Sequence, residues 1–161
     1  MLKVMLSAIC VLAAATPFAS DAYAASLSAA DIAGRWQGDS YTRETGGKLA
    51  LDIVACGTGW CGIKIADNNA CGATALKLDG GTLEGENLVF KGTLELARGT
   101  EPYVIHSYLM PATDGAPATL QLIGDTGGQF RAFRRSFPFE AQLTRASDPV
   151  CHAPATVSSA E

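Results

Sequence analysis

Alternation with a period of two, cut into short runs by glycine, limits this chain more than any other feature. Lys48 to Ala55 sets Leu49, Leu51, Ile53 and Ala55 on one face. Asn87 to Leu96 sets Leu88, Phe90, Gly92, Leu94 and Leu96 against Lys91, Thr93 and Glu95. Glu101 to Met110 sets Tyr103, Ile105, Ser107 and Leu109 against Val104, His106, Tyr108 and Met110. Thr119 to Gly124 and Phe137 to Arg145 behave alike. Successive side chains of a strand point to opposite faces, so each run predicts a half-buried strand. Thr45-Gly46-Gly47, Asp79-Gly80-Gly81 and Thr126-Gly127-Gly128 separate the runs. Glycine accepts the positive φ angles that tight hairpin turns require. No long helical period competes; only Leu27 to Ala33 predicts a short helix, with Ser28 as cap and Asp31 as its capping partner. About eight or nine short strands at regular spacing predict an all-β fold. The expected form is a small antiparallel up-and-down β-barrel of about eight strands, in which closure removes the sheet edges.

The N-terminus predicts export. Lys3 precedes an apolar run from Val4 to about Phe18, and Asp21-Ala22-Tyr23-Ala24 ends in an A-x-A pattern. This is the three-part signature of a signal peptide, with an apolar run too short for an ordinary membrane span. Residues 1–24 are therefore expected to be removed by cleavage after Ala24, leaving a periplasmic or secreted protein with no stable membrane insertion. The barrel is expected over residues 25–147. Residues 148–161 are expected to form a polar, proline-bearing tail, frayed beyond Cys151. The remaining 137 or so residues make one domain, long enough for a real core. Net charge is −4 with or without the signal, because Lys3 and Asp21 leave together. That balance disfavours nonspecific nucleic-acid binding, which needs Lys and Arg to neutralise phosphates.

Loss of the signal also removes Cys10 and leaves Cys56, Cys61, Cys71 and Cys151. An even count in an oxidising compartment favours disulfides. Four cysteines allow three pairings; the favoured one is Cys56–Cys61 with Cys71–Cys151 pinning the tail. A simple register puts Cys56 and Cys61 on opposite faces of the sheet, and a bulge at Gly57 or Gly59 is invoked to align them. A zinc site from Cys56, Cys61, Cys71 and His106 or His152 ranks far behind. A redox role ranks third, since active dithiols sit as C-x-x-C at a helix start.

Other polar groups give no catalytic pattern. Ser107, His106 and Asp114 lack the G-x-S-x-G elbow of a nucleophile, and no glycine-rich loop joins a strand to a helix as a phosphate cradle. Asp79, Glu84 and Glu86 show no calcium-loop spacing, and Arg131, Arg134 and Arg135 read as a solvated basic cluster. No cofactor is expected and no enzyme. The expected role is that of a non-catalytic binding or envelope-associated barrel, holding a small apolar ligand against Leu51, Phe90, Tyr103 and Leu122. The competing expectation is that these four simply fill the barrel.

Gly34-Arg35-Trp36 opens the first strand after the short helix, and the last strand ends in Leu143-Thr144-Arg145. This resembles the calycin arrangement. The resemblance implies that Trp36 plugs the closed end and that Arg145 stacks over it, with Gly34 completing the closure. Gly34-x-Trp36, Cys56-Gly57 and Cys61-Gly62-Ile63-Lys64-Ile65 resemble the opening of bacterial domain-of-unknown-function family 2147, whose members are exported and calycin-like. The usual C-terminal tryptophan of that family is replaced by Phe137-Pro138-Phe139. Ser26 to Gln37 is also similar to the start of the small periplasmic inhibitors of serralysin-type metalloproteases. That resemblance implies a protease partner, with residues Ala25 to Ser28 entering its cleft.

Overall fold

The computed structural model describes residues 27–42, 45–113, 115–127 and 136–153. The strands are β1 (Gly34–Thr42), β2 (Gly46–Cys56), β3 (Gly59–Ile65), β4 (Cys71–Leu78), β5 (Thr82–Glu84), β6 (Asn87–Leu94), β7 (Tyr103–Met110), β8 (Thr119–Asp125) and β9 (Pro138–Ser147). All pairings are antiparallel. Each strand follows its predecessor around a meander, β9 returns to β1, and β4 pairs with β6. Eight strands thus close into an up-and-down barrel, and β5 is an extra short strand on β6. The expected short helix is a 3₁₀ turn at Ala29–Ile32, with the Ser28–Asp31 capping box in place.

β5 continues the line of β4 with an offset of one residue. Leu78 faces Gly92, whereas Thr82 faces Val89, so Asp79, Gly80 and Gly81 lie against only Phe90 and Lys91. One residue too many on one strand is a bulge, and it needs substitute hydrogen bonds. The Asp79 carboxylate supplies them by accepting from Gly81 N at 3.1 Å and Lys91 N at 3.0 Å. Closure also needs Gly92, because a Cβ there would fall 1.8 Å from the Lys77 carbonyl oxygen across the β4–β6 pair.

The alternation read from sequence selects the inward faces. Leu49, Leu51, Ile53, Leu76, Leu88, Phe90, Leu94, Ile105, Leu109, Leu120, Leu122, Phe139 and Leu143 form one buried cluster with Trp36. Lys48, Lys77, Lys91, His106, Glu140 and Gln142 take intervening outward positions and are exposed. A barrel that crosses a bilayer presents an apolar band there instead. A second, smaller cluster lies on the outward face of β2 and β3, where Ile63, Ile65 and Cys151 pack with Ala50 and Val54.

Candidate functional site

The end of the barrel where β1 begins is sealed. Trp36 is fully buried, and its indole Nε1 donates to the Ile32 carbonyl at 2.8 Å. That bond satisfies the one polar atom of the ring and fastens the 3₁₀ turn under the barrel. Arg145 lies opposite Trp36 in register, on the same inward face. A Cβ on Gly34 would fall 3.0 Å from Arg145 Nε, so Gly34 leaves room for the guanidinium. Arg145 also ion-pairs with Asp148 at 3.2 Å. The three residues expected at the closure are thus brought together.

The tail is held by a group that sequence reasoning passed over. Arg35 and Asp52 face each other across β1 and β2 on the outward side. Arg35 Nε donates to Asp52 Oδ1 at 2.7 Å, and its terminal nitrogen donates to Oδ2 at 2.9 Å. Val150 N and Cys151 N both donate to the same Oδ2 at 2.8 Å. Asp52 is fully buried under the tail. Burial pushes its carboxyl up, but the Arg35 hydrogen bond and the Cys151 and Val150 amides outweigh that and hold it below the ordinary aspartate value. The Asp52 hydrogen bond also raises the Arg35 guanidinium. Asp52 belongs to the polar face of an alternating strand, so alternation alone marks it as exposed.

Both favoured disulfides are present, Cys56–Cys61 and Cys71–Cys151. With the four thiols bonded in pairs, none remains as a thiolate ligand for zinc. The bulge invoked for Cys56 and Cys61 is not needed. Gly57 and Thr58 make a two-residue turn, with Gly57 at φ 59°, which sets Cys56 opposite Gly59 and Val54 opposite Cys61. Even positions of β2 then share a face with odd positions of β3, so the cysteines are diagonal neighbours, 5.7 Å apart at Cα. Disulfides fit an extracytoplasmic protein. Among the described residues, no helix is long and apolar enough to cross a membrane.

Comparison with family models, curated proteins and solved structures returns no match. Function must therefore be argued from the site itself.

Among the described residues, the four interior positions belong to the packed core or its edge. Leu51, Phe90 and Leu122 are each 0 % exposed, and Tyr103 packs at the edge of the same cluster, its ring 5.2 Å from that of Phe139. Ser107 points into this core, fully buried, and its hydroxyl has no hydrogen-bond partner among the described residues. His106 faces outward and is exposed, so the two lie on opposite sides of one sheet. Asp114, the basic cluster Arg131, Arg134 and Arg135, and residues 1–26 and 154–161 lie outside the described residues.

A surface cleft of about 470 Å³ opens at the other end of the barrel. The end of β3, the start of β4 and the segment after β6 form it, through Lys64, Ala66, Gly72–Ala75 and Glu95–Arg98. It exists because the seam between β4 and β6 is short. The ladder covers Leu76 to Leu78, and one further bond, Glu95 N to Ala75 O at 2.8 Å, ends it. Lys64 Nζ reaches across to the Leu96 carbonyl at 3.1 Å. Glu95 Oε1 accepts from Gly99 N at 2.5 Å. Arg98 makes no hydrogen bond or ion pair among the described residues. Small side chains at four successive positions of β4 were a signal visible in sequence, but nothing there showed that the seam would open beside them.

Proposed function

We propose that this is an exported, periplasmic or secreted barrel that binds a ligand without chemistry, at the cleft beside the β4–β6 seam. The observation that carries the reading is the cleft, a concave, mostly apolar recess with a few polar groups at its rim. That is the usual form of a binding site. The packed interior supports a site on the surface, since Leu51, Phe90 and Leu122 leave no access for a ligand between them. The signal-like N-terminus and the two disulfides support export. The resemblance to family 2147 supports the same placement.

The test is an amide NMR screen of the oxidised protein against a fragment set, repeated on Ala97→Trp, which plugs the cleft. Binders that shift Gly72 to Ala75 in the parent and not in the variant support the reading. Binders gathered instead on the outward face of Val104, His106, Tyr108 and Ile123 would sink it.

A second reading, inhibition of a metalloprotease, uses the opposite end of the molecule. Its support is the anchored start of the domain: Leu27 packs on the core, and Ser28 N donates to Asp31 Oδ2 at 2.6 Å. Deleting Ala25 to Ser28 separates the readings: an inhibitor of a serralysin-type protease loses its activity, whereas the cleft keeps its ligand.

A further inference from the structure

We propose that the cleft takes an extended peptide carrying an acidic side chain, added as a strand along the open edge of β4; this rests on the binding reading above. The main chain is the first reason. β4 pairs with β3 on one side from Cys71 to Leu78, with register shifts between Gly62 and Ile63 and between Ile63 and Ile65, but on the β6 side its pairing stops at Ala75. Past that point no main-chain hydrogen bond among the described residues joins Cys71–Thr74 to the segment after β6. An edge of this kind presents unpaired N–H and C=O groups and is a template for another strand. Here the edge lines the cleft, so a strand entering it meets the template side-on.

Side chains supply the second reason. Gly72, Ala73, Thr74 and Ala75 are small, and they let a second backbone approach to the 4.8 Å or so that separates paired strands. Two cations, Lys64 and Arg98, stand over the recess. The one carboxylate among the lining residues, Glu95, is already held by Gly99 N. The free Arg98 fork matches a carboxylate in two-point geometry. An acidic side chain on the incoming strand completes the pairing, and the apolar floor of Ala66, Ala75 and Leu96 takes its neighbour.

The site also has a fixed frame. Cys71, the first residue of the open edge, is bonded to Cys151. Asp52 holds the tail that carries Cys151. The template is therefore set before a peptide arrives, which lowers the entropy cost of adding a strand.

The experiment is an amide NMR titration of the oxidised full-length exported protein with the blocked peptide Ac-Thr-Val-Glu-Val-Thr-NH2. A control peptide replaces both valines with proline and so lacks two main-chain donors. The expected result is saturable shifts at Gly72 to Ala75 and Arg98, with the proline peptide weaker by about tenfold or more. Arg98→Gln should weaken the parent peptide several-fold and reduce the salt dependence of its binding. Equal binding of the two peptides, or shifts away from the cleft, overturns the proposal. If sodium laurate shifts the cleft amides and neither peptide does, the binding reading stands and the peptide proposal falls. If none of the three binds, both fall. If the peptide binds only after truncation beyond Ala153, the chain's own C-terminal segment is the occupant and an external peptide is ruled out.

Discussion

Asp52 is the residue on which most depends, because one carboxylate closes two accounts at once. It neutralises Arg35 across the β1–β2 pair and collects the Val150 and Cys151 amides of the tail. Removing Asp52 takes the acceptor from a part-buried Arg35 and from two main-chain amides, a loss of about 2 kcal/mol. Asp52→Ala should lower stability by about that much in denaturant melts with both disulfides intact, and should speed exchange of the Val150 and Cys151 amides. The pH dependence has a definite sign. The folded-state pKa of Asp52 lies below its unfolded value, so its contribution is full above the ordinary aspartate range. It is lost as pH falls through the lower, folded value. A series from neutral pH down to about 2 should show the parent losing stability more steeply than Asp52→Asn at the acid end. Parallel curves would remove Asp52 from that role. Ser107 poses the opposite case, with its hydroxyl buried between Phe90 and Leu122 on neighbouring strands and without a partner among the described residues. Ser107→Ala should stabilise the protein by about 1 kcal/mol, the desolvation cost recovered. A loss of stability instead would mean that the hydroxyl is bonded.

The two disulfides close loops of very different length. Their cysteines are 5 and 80 residues apart. Constraint of the unfolded chain grows with the logarithm of loop length. The short staple is therefore worth about 2 kcal/mol and the long one about 4 to 5. Replacing Cys71 and Cys151 by serine should cost about twice as much as replacing Cys56 and Cys61. The long bridge also holds the tail over Ile63 and Ile65, so its loss should add dye-binding apolar surface, which loss of the short bridge should not. The strands themselves were legible, because alternation requires only that one face be buried. Register was less so. The clash foreseen for Cys56 and Cys61 came from assuming a simple pairing, whereas a two-residue turn fixes which positions share a face. Asp79-Gly80-Gly81 reads as a turn in sequence, because a run of Asp-Gly-Gly serves as turn or bulge and only the pairing of β6 decides.

At the scale of the whole molecule, closure and filling follow from pattern, while the site does not. Inward leucines, isoleucines and phenylalanines on β2, β4 and β6 to β9 specify a packed barrel, and Trp36 with the 3₁₀ turn seals one end. The cleft arises from where two distant strands stop pairing, and no local pattern encodes that. Arg98 and Lys64 are ordinary surface cations until the seam places them at one rim. We propose that the barrel interior is filled and that a ligand binds at the seam. Native mass spectrometry of the oxidised protein is the direct test, paired with a denaturing spectrum taken without reductant. The expected mass has Cys56, Cys61, Cys71 and Cys151 oxidised and no molecule retained inside the barrel. An apolar adduct that survives gentle ionisation and leaves only on unfolding would contradict it.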